Sequence, residues 1–348
     1  MSALLHVVDL KKHYVLAGGG SERHPLIRWF YKNLTNIDDR PPVLHAVDGV
    51  GFSLNSGESL GVVGESGCGK STLVSMLARL ADVSDGEIHF RGKNIGAVPA
   101  NSFYAEPERT DIQIVFQDPH ESLNPRFTAF DTIAEPLRRL KHMKEKEALR
   151  KMVESVAGQV DLPLQLLSRF PHQLSGGQKA RVNIARAIAV SPKLLILDEP
   201  TSALDVSVQA VILKLLVQLK DELGMSYLFV SHDLNVVRLL CDRVIVMYLG
   251  QIVESGAAID IFDHVVHPYT RALISAIPGA GEPEKNRVRL SGDPKSPIDP
   301  DPNACRFHGR CPNGEDRCAR TAPTPVTVAD DHIAVCHFAT ELEKAPDA

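Results

Sequence analysis

The stretch "GVVGESGCGKST", Gly61 to Thr72, constrains the fold more than any other part of the chain. An apolar run, "SLGVV", leads into it and an amphipathic run, "KSTLVSMLARL", leads out. A strand must therefore turn abruptly into a helix, with glycines at 64, 67 and 69 letting the backbone curl until its N–H groups face a common centre. Such a loop at a helix N-terminus binds phosphate. Lys70 brings a point charge to the terminal phosphates, and the Ser71 hydroxyl can ligate Mg2+. Gly64, Glu65, Ser66, Gly67, Cys68, Gly69, Lys70, Ser71 and Thr72 are thus a candidate nucleotide loop. The helix N-terminus beside Cys68 should also lower the pKa of its thiol.

Elsewhere, strand-like and helix-like patterns alternate. "LLHVVDLKKHY" and "AVDGVGFSL" read as strands of an opening antiparallel sheet, with an irregular insert over 17–42 that holds the single tryptophan, Trp29. "GEIHFRG" and "IQIVFQ" are further strands. From about 118 to 174 the period turns helical, in "AFDTIAEPLRRL" and "EKEALRKMVESVAGQV", which predicts a helical subdomain inserted between strands. Then follow strand "KLLILDEP", helix "VQAVILKLLVQLKDELG", strand "SYLFVSH", helix "LNVVRLLC" and a strand over "DRVIVMYLGQIVESG". This alternation predicts an α/β fold around a parallel sheet covered on both faces. Residues 279–302 are rich in Pro, Gly and charge and read as a connector.

Composition narrows the function. No apolar run reaches the length of a membrane-spanning helix. The opening residues lack a secretory pattern, which leads us to expect a cytosolic location. A net charge of −5 argues against a general nucleic-acid binder. A second anion cradle appears at "LSGGQ", where Ser175, Gly176, Gly177 and Gln178 open another helix. Asp198 and Glu199 end the strand "KLLIL", where an open parallel sheet presents its ligands.

"GESGCGKST", "VFQDP", "LSGGQ", "LLILDEP", "SALD" and "VSHD", in that order over about 4–256, resemble the motif set of the ATP-binding subunit of ABC transporters. The resemblance implies a P-loop (RecA-like) core with an N-terminal antiparallel sheet and the inserted helical subdomain. It implies ATP and Mg2+ as ligands, with Tyr14 stacking on adenine. Ser71, Gln117 and Asp198 would serve Mg2+, Glu199 would be general base, and His232 would hydrogen-bond the γ-phosphate. Asp205 would run along a dimer interface. Both cradles then have a use. In a head-to-tail dimer, Ser175 to Gln178 of one subunit would cap the γ-phosphate held by Lys70 of the other, so ATP closes the pair and hydrolysis releases it.

Beyond residue 256, "HPYTRALISAIP", "CRFHGRCPNGEDRC" and "AVCH" resemble the C-terminal extension of oligopeptide and dipeptide importer ATPases, as does "DPHESLNPRF" after Gln117. This implies an extension over 257–348, peptide cargo with nickel or glutathione as variants, and an ATPase at the cytoplasmic face of the inner membrane. The partners implied are two permease subunits, an extracytoplasmic binding protein acting indirectly, and a second, paralogous ATPase, since "LKKHY" followed by an insert resembles one of a pair. Cys305, Cys311, Cys318 and Cys336 are spaced C-x5-C-x6-C-x17-C, without the tight C-x2-C knuckle usual for zinc. A [4Fe–4S] cluster, which some of this importer group carry, suits the loose spacing; zinc and free thiols are the alternatives. A soluble ABC ATPase acting on ribosome or nucleic acid is the competing function.

Overall fold

The computed structural model describes residues 3–16, 41–119, 121–277, 290, 292 and 295–342. The insert with Trp29, apart from Pro41 and Pro42, and most of the first part of the 279–302 connector, up to residue 294, lie outside these. β1 (Leu5–Val15) pairs antiparallel with β2 (Val43–Leu54) on one side and β4 (Asp85–Phe90) on the other, and the short β5 (Lys93–Asn94) completes this sheet.

The second sheet runs β11-β12-β10-β9-β3-β8-β7-β6. Five of its strands are parallel: β6 (Ile112–Val115), β7 (Leu194–Asp198), β8 (Ser226–Val230), β3 (Ser59–Val63) and β9 (Arg243–Tyr248). Because successive side chains of a strand point to opposite faces, each strand divides its apolar residues between two cores. Leu60, Val62, Ile196, Leu228 and Ile245 join the core beneath the first sheet and α1 (Lys70–Leu77). Val63, Leu195, Leu197, Phe229 and Val246 join the other. That second core is covered by α2 (Ala129–Leu140) and α3 (Lys146–Gln159) of the helical subdomain, by α4 (Gly176–Ile188), and by α5 (Val206–Leu223) and α6 (Leu234–Leu240).

Two features depart from the sequence reading. "DRVIVMYLGQIVESG" is two strands, not one: β9 turns back into β10 (Gln251–Ala257) through Leu249 and Gly250, with φ of 42° and 83°. Positive φ at both central residues is what a tight hairpin turn with the strands' own twist requires. The sheet is also only partly parallel, because β12 (His332–Ala334) pairs antiparallel with β10, and β11 (Val326–Ala329) with β12.

The boundary at 256/257 falls inside β10, and the extension docks closely on the rest. After α7 (Ala258–Asp263) comes α8 (Pro268–Ser275), and Phe307, Cys305 and Cys311 pack into the second core. Glu254, fully buried, accepts the N–H groups of Val266 (2.8 Å) and His267 (3.1 Å) and bonds His332 Nε2 at 2.9 Å. Asp48 on β2 is gripped by His13, His45 and Arg306 of the extension, which also bonds the Leu249 carbonyl. Among the described residues no helix is long and apolar enough to cross a membrane.

Candidate functional site

The loop after β3 adopts the curled form its glycines allow. Gly64, Gly67 and Gly69 have φ of 151°, 78° and 108°. At Gly69 a Cβ would stand 2.2 Å from the Ala46 carbonyl oxygen, so only glycine lets β2 pass this close. Lys70, the first residue of α1, is buried and folds back so that Nζ donates to the carbonyls of Gly64 (2.7 Å) and Glu65 (3.0 Å). Ser66 and Ser71 are exposed and Thr72 half-buried. Tyr14 pairs with Leu44 on β2, near the Ala46 that abuts the loop; its ring is 40% exposed and lies 5.1 Å from Lys12 Nζ. A ring face open to that degree can still receive a base.

The expectation for Cys68 fails. Its thiol is 3% exposed, and burial raises its pKa, with Lys70 opposing and not prevailing. The sulfur would sit 2.7 Å from a Cβ on Gly64, inside the loop and away from solvent.

Three of the expected residues meet at one atom. Glu199 Oε2 accepts from Gln117 Nε2 at 3.0 Å and lies 3.0 Å from His232 Nδ1. They come from the ends of β6, β7 and β8, adjacent parallel strands whose C-terminal edge faces the loop. Glu199 has φ of 46°, and its N–H donates to the Val230 carbonyl at 2.9 Å. Asp198, beside it, has its pKa pushed up to about 6 by burial and by the Glu199 charge, with Lys70 pulling the other way. Asp198, Ser71 and Gln117 each offer an oxygen, the ligand type that a hard divalent cation such as Mg2+ takes.

Ser175 caps α4: its Oγ accepts the Gln178 N–H at 3.3 Å, while Gln178 Oε1 accepts the Ser175 N–H at 2.9 Å. Each side chain thus bonds the other residue's backbone N–H, and Gly176 and Gly177 form the first residues of the helix between them. Ser175 is exposed, open to a second molecule. Asp205 is the exposed residue before α5, with no side-chain cap bond. The same helix α4 reaches toward the segment after Gln117, where Arg186 Nη1 donates to the Ser122 carbonyl at 2.8 Å and Asn183 bonds the Ser122 hydroxyl.

The four tail cysteines converge. Burial raises the thiol pKa of Cys311 to about 11, and Cys336, Cys305 and Cys318 push it further in that direction. Backbone N–H groups of Phe307 and His308 favour the thiolate of Cys305, as those of Asn313 and Phe338 do at Cys311 and Cys336. No three of these sulfurs lie within 4.8 Å of one another, whereas Zn–S bonds of about 2.3 Å would draw four of them closer than that. That spacing is wider than the one a bound zinc imposes.

Sequence reasoning missed the extension's contribution to the loop. Tyr269 Oη accepts the Glu65 N–H at 2.8 Å, and Arg310 bonds the Glu65 carboxylate. No local pattern signals contacts made across more than two hundred residues.

Comparison with known proteins places these features. Residues 47–202 match a family model described as ABC transporter, and residues 253–318 match one described as oligopeptide/dipeptide transporter, C-terminal region. The chain is 44% identical over 324 residues to an oligopeptide transport ATP-binding protein of Escherichia coli, covering 92% of both chains. It is 40% identical to one of Bacillus subtilis, covering 96% of this chain and 97% of the other. Among solved structures, an ATP-binding cassette dimer in a post-hydrolysis state bound to ADP and Pi superposes with a TM-score of 0.60 at 27% identity, covering 73% of this chain and 98% of that one.

Proposed function

This chain belongs to the ABC transporter family of ATP-binding proteins, and we propose that it powers import of oligopeptides or dipeptides through a membrane complex. It is an ATPase whose hydrolysis is coupled to transport. The single observation that carries the chemistry is the Glu199 carboxylate held between Gln117 and His232 beside the nucleotide loop. As a water oxygen attacks the γ-phosphorus, Glu199 would take its proton, and the bond from that phosphorus to the β–γ bridging oxygen would break. Gln117 and His232 keep Glu199 aimed. Lys70 and the loop N–H groups balance charge on the phosphates. Mg2+, held by Ser71, Gln117 and Asp198, would supply further charge neutralisation there.

The exposed Ser175 cradle supports a dimer in which each nucleotide is shared, with a paralogous ATPase as second member and two permease subunits attached. The chain would then lie peripherally at the cytoplasmic face of the inner membrane, with a binding protein delivering cargo from the far side. Cys305, Cys311, Cys318 and Cys336 would hold a [4Fe–4S] cluster; its role is structural, since ATP hydrolysis moves no electron. The competing role on ribosome or nucleic acid has no support, because the 253–318 match is to a transporter region.

One experiment tests this reading. Purified without oxygen together with its partners, the complex should contain two polytopic proteins and iron, and peptide with its binding protein should stimulate ATP turnover. Glu199→Gln should lower kcat by about 100-fold or more while ATP still binds. Turnover near the native rate would refute the assignment of the base, and purification without any membrane protein would refute the transporter role.

A further inference from the structure

Glu65 is the one acid in a loop built to hold a polyphosphate, "GESGCGKST". A bare carboxylate there repels the anion that the loop's N–H groups attract. Its compensation comes from the C-terminal region, 245 residues away. Arg310 Nη1 donates to Glu65 Oε2 at 2.7 Å and Nη2 to Oε1 at 3.1 Å, a two-pronged pairing. The Arg310 side chain is 9% exposed and the Glu65 side chain 29%, so water screens the pair poorly.

The guanidinium is itself held in place. It lies 5.9 Å from the Tyr248 ring and donates to Tyr248 Oη at 3.4 Å; Tyr248 packs against Tyr269 and Phe307, with ring centroids 4.7 and 5.1 Å away. The same aromatic group supplies Tyr269 Oη to the Glu65 N–H. The Glu65 carbonyl accepts Lys70 Nζ and the Cys68 N–H. Every polar group of Glu65 is therefore assigned, two of them to residues of the extension.

We propose that Arg310 is a positioning residue for ATP: it neutralises Glu65 and, with Tyr269, fixes the outer limb of the nucleotide loop, so that the C-terminal region of the same chain completes the ATP site. The proposal rests on the loop being where ATP binds. It differs from a purely architectural role, in which Arg310 only pins the extension to the core, because the charge on Glu65 is then the quantity that matters.

The test uses the full-length chain for MgATP binding and the assembled importer for turnover. Arg310→Gln should raise the Kd and KM for ATP about tenfold while changing kcat little, and the deficit should shrink as salt is added. Arg310→Lys, which keeps the positive charge, should recover most of the affinity. Glu65→Gln combined with Arg310→Gln should bind ATP as well as Glu65→Gln alone, since no carboxylate is left to neutralise. That comparison stands even if the single Arg310→Gln protein does not fold. An unchanged KM in folded Arg310→Gln, or an equal loss on removing Arg310 from the Glu65→Gln background, would overturn the proposal. Lys70→Ala is the separate check: if it binds ATP like the native protein, the loop is not the ATP site at all.

Discussion

Lowering the pH from 7 to 5 should cost this protein stability through one buried imidazole. His267 precedes α8, with Pro268 at the helix's first position, and is 2% exposed. Its Nδ1 accepts the Tyr269 N–H at 3.1 Å, so that nitrogen must be free of a proton for the cap to exist. Burial pushes its pKa down to about 4, against a smaller opposite pull from Glu254; His332, bonded to that same carboxylate, and the ring of Phe307 at 5.6 Å complete its surroundings. In the unfolded chain the value returns to about 6.5. A folded pKa below the unfolded one means the stabilisation is fully present above pH 6.5 and is lost as pH falls toward 4. With those two values, proton uptake by the unfolded chain costs about 2 kcal/mol between pH 7 and pH 5. His267→Asn keeps an oxygen to cap the Tyr269 N–H and removes the titration. Urea unfolding of native and variant proteins at the two pH values checks this, because other titrating groups cancel in the difference. The native protein should lose about 2 kcal/mol more than the variant. Parallel loss in both would show that His267 is not held neutral in the fold.

Two further outcomes follow from the nucleotide loop. Gly69→Ala forces a Cβ to 2.2 Å from the Ala46 carbonyl oxygen, and should cost more than about 2 kcal/mol and abolish ATP binding; Gly67→Ala, also at positive φ but facing open space, should cost about 1 kcal/mol. Equal melting temperatures for the two variants would contradict that ranking. Cys68, buried beneath the loop with a raised pKa, should react with N-ethylmaleimide on the order of a hundredfold more slowly in the native protein than in urea, followed by mass spectrometry. Similar rates in both would mean that the thiol is open to solvent.

Much of the fold was legible because it is written in short-range patterns. The helix 129–140 follows the apolar period of "AFDTIAEPLRRL" residue for residue, and the motif loop between β3 and α1 is set by its own glycines. Gln117, Glu199 and His232 could be placed at strand ends, though their meeting at one oxygen could not be derived from spacing. What escaped depended on distant partners. The Leu249–Gly250 turn lacks the Asn-Gly or Asp-Gly signal, so the hairpin read as one strand. The Cys68 reading weighed the helix N-terminus alone and missed that the surrounding chain covers the sulfur, where desolvation outweighs the dipole. The ion pairs of Arg306 with Asp48 and Arg310 with Glu65 depend on how the extension folds back, which composition and periodicity do not encode.

The pairing of β12 on β10 bears on how the polypeptide could be divided. β10 is flanked by β9 on one side and by the tail's β12 on the other, with the Val335 N–H donating to the Val253 carbonyl at 2.8 Å. A fragment trimmed just after β10 would strip that outer neighbour away, leaving a ragged margin of unsatisfied amides next to Val253 and the orphaned Glu254 carboxylate. Such a margin recruits whatever extended peptide it meets, and a shortened version would be adhesive before it was inactive. The tail is in this sense the hem of the central fabric, stitched from the chain's own final residues.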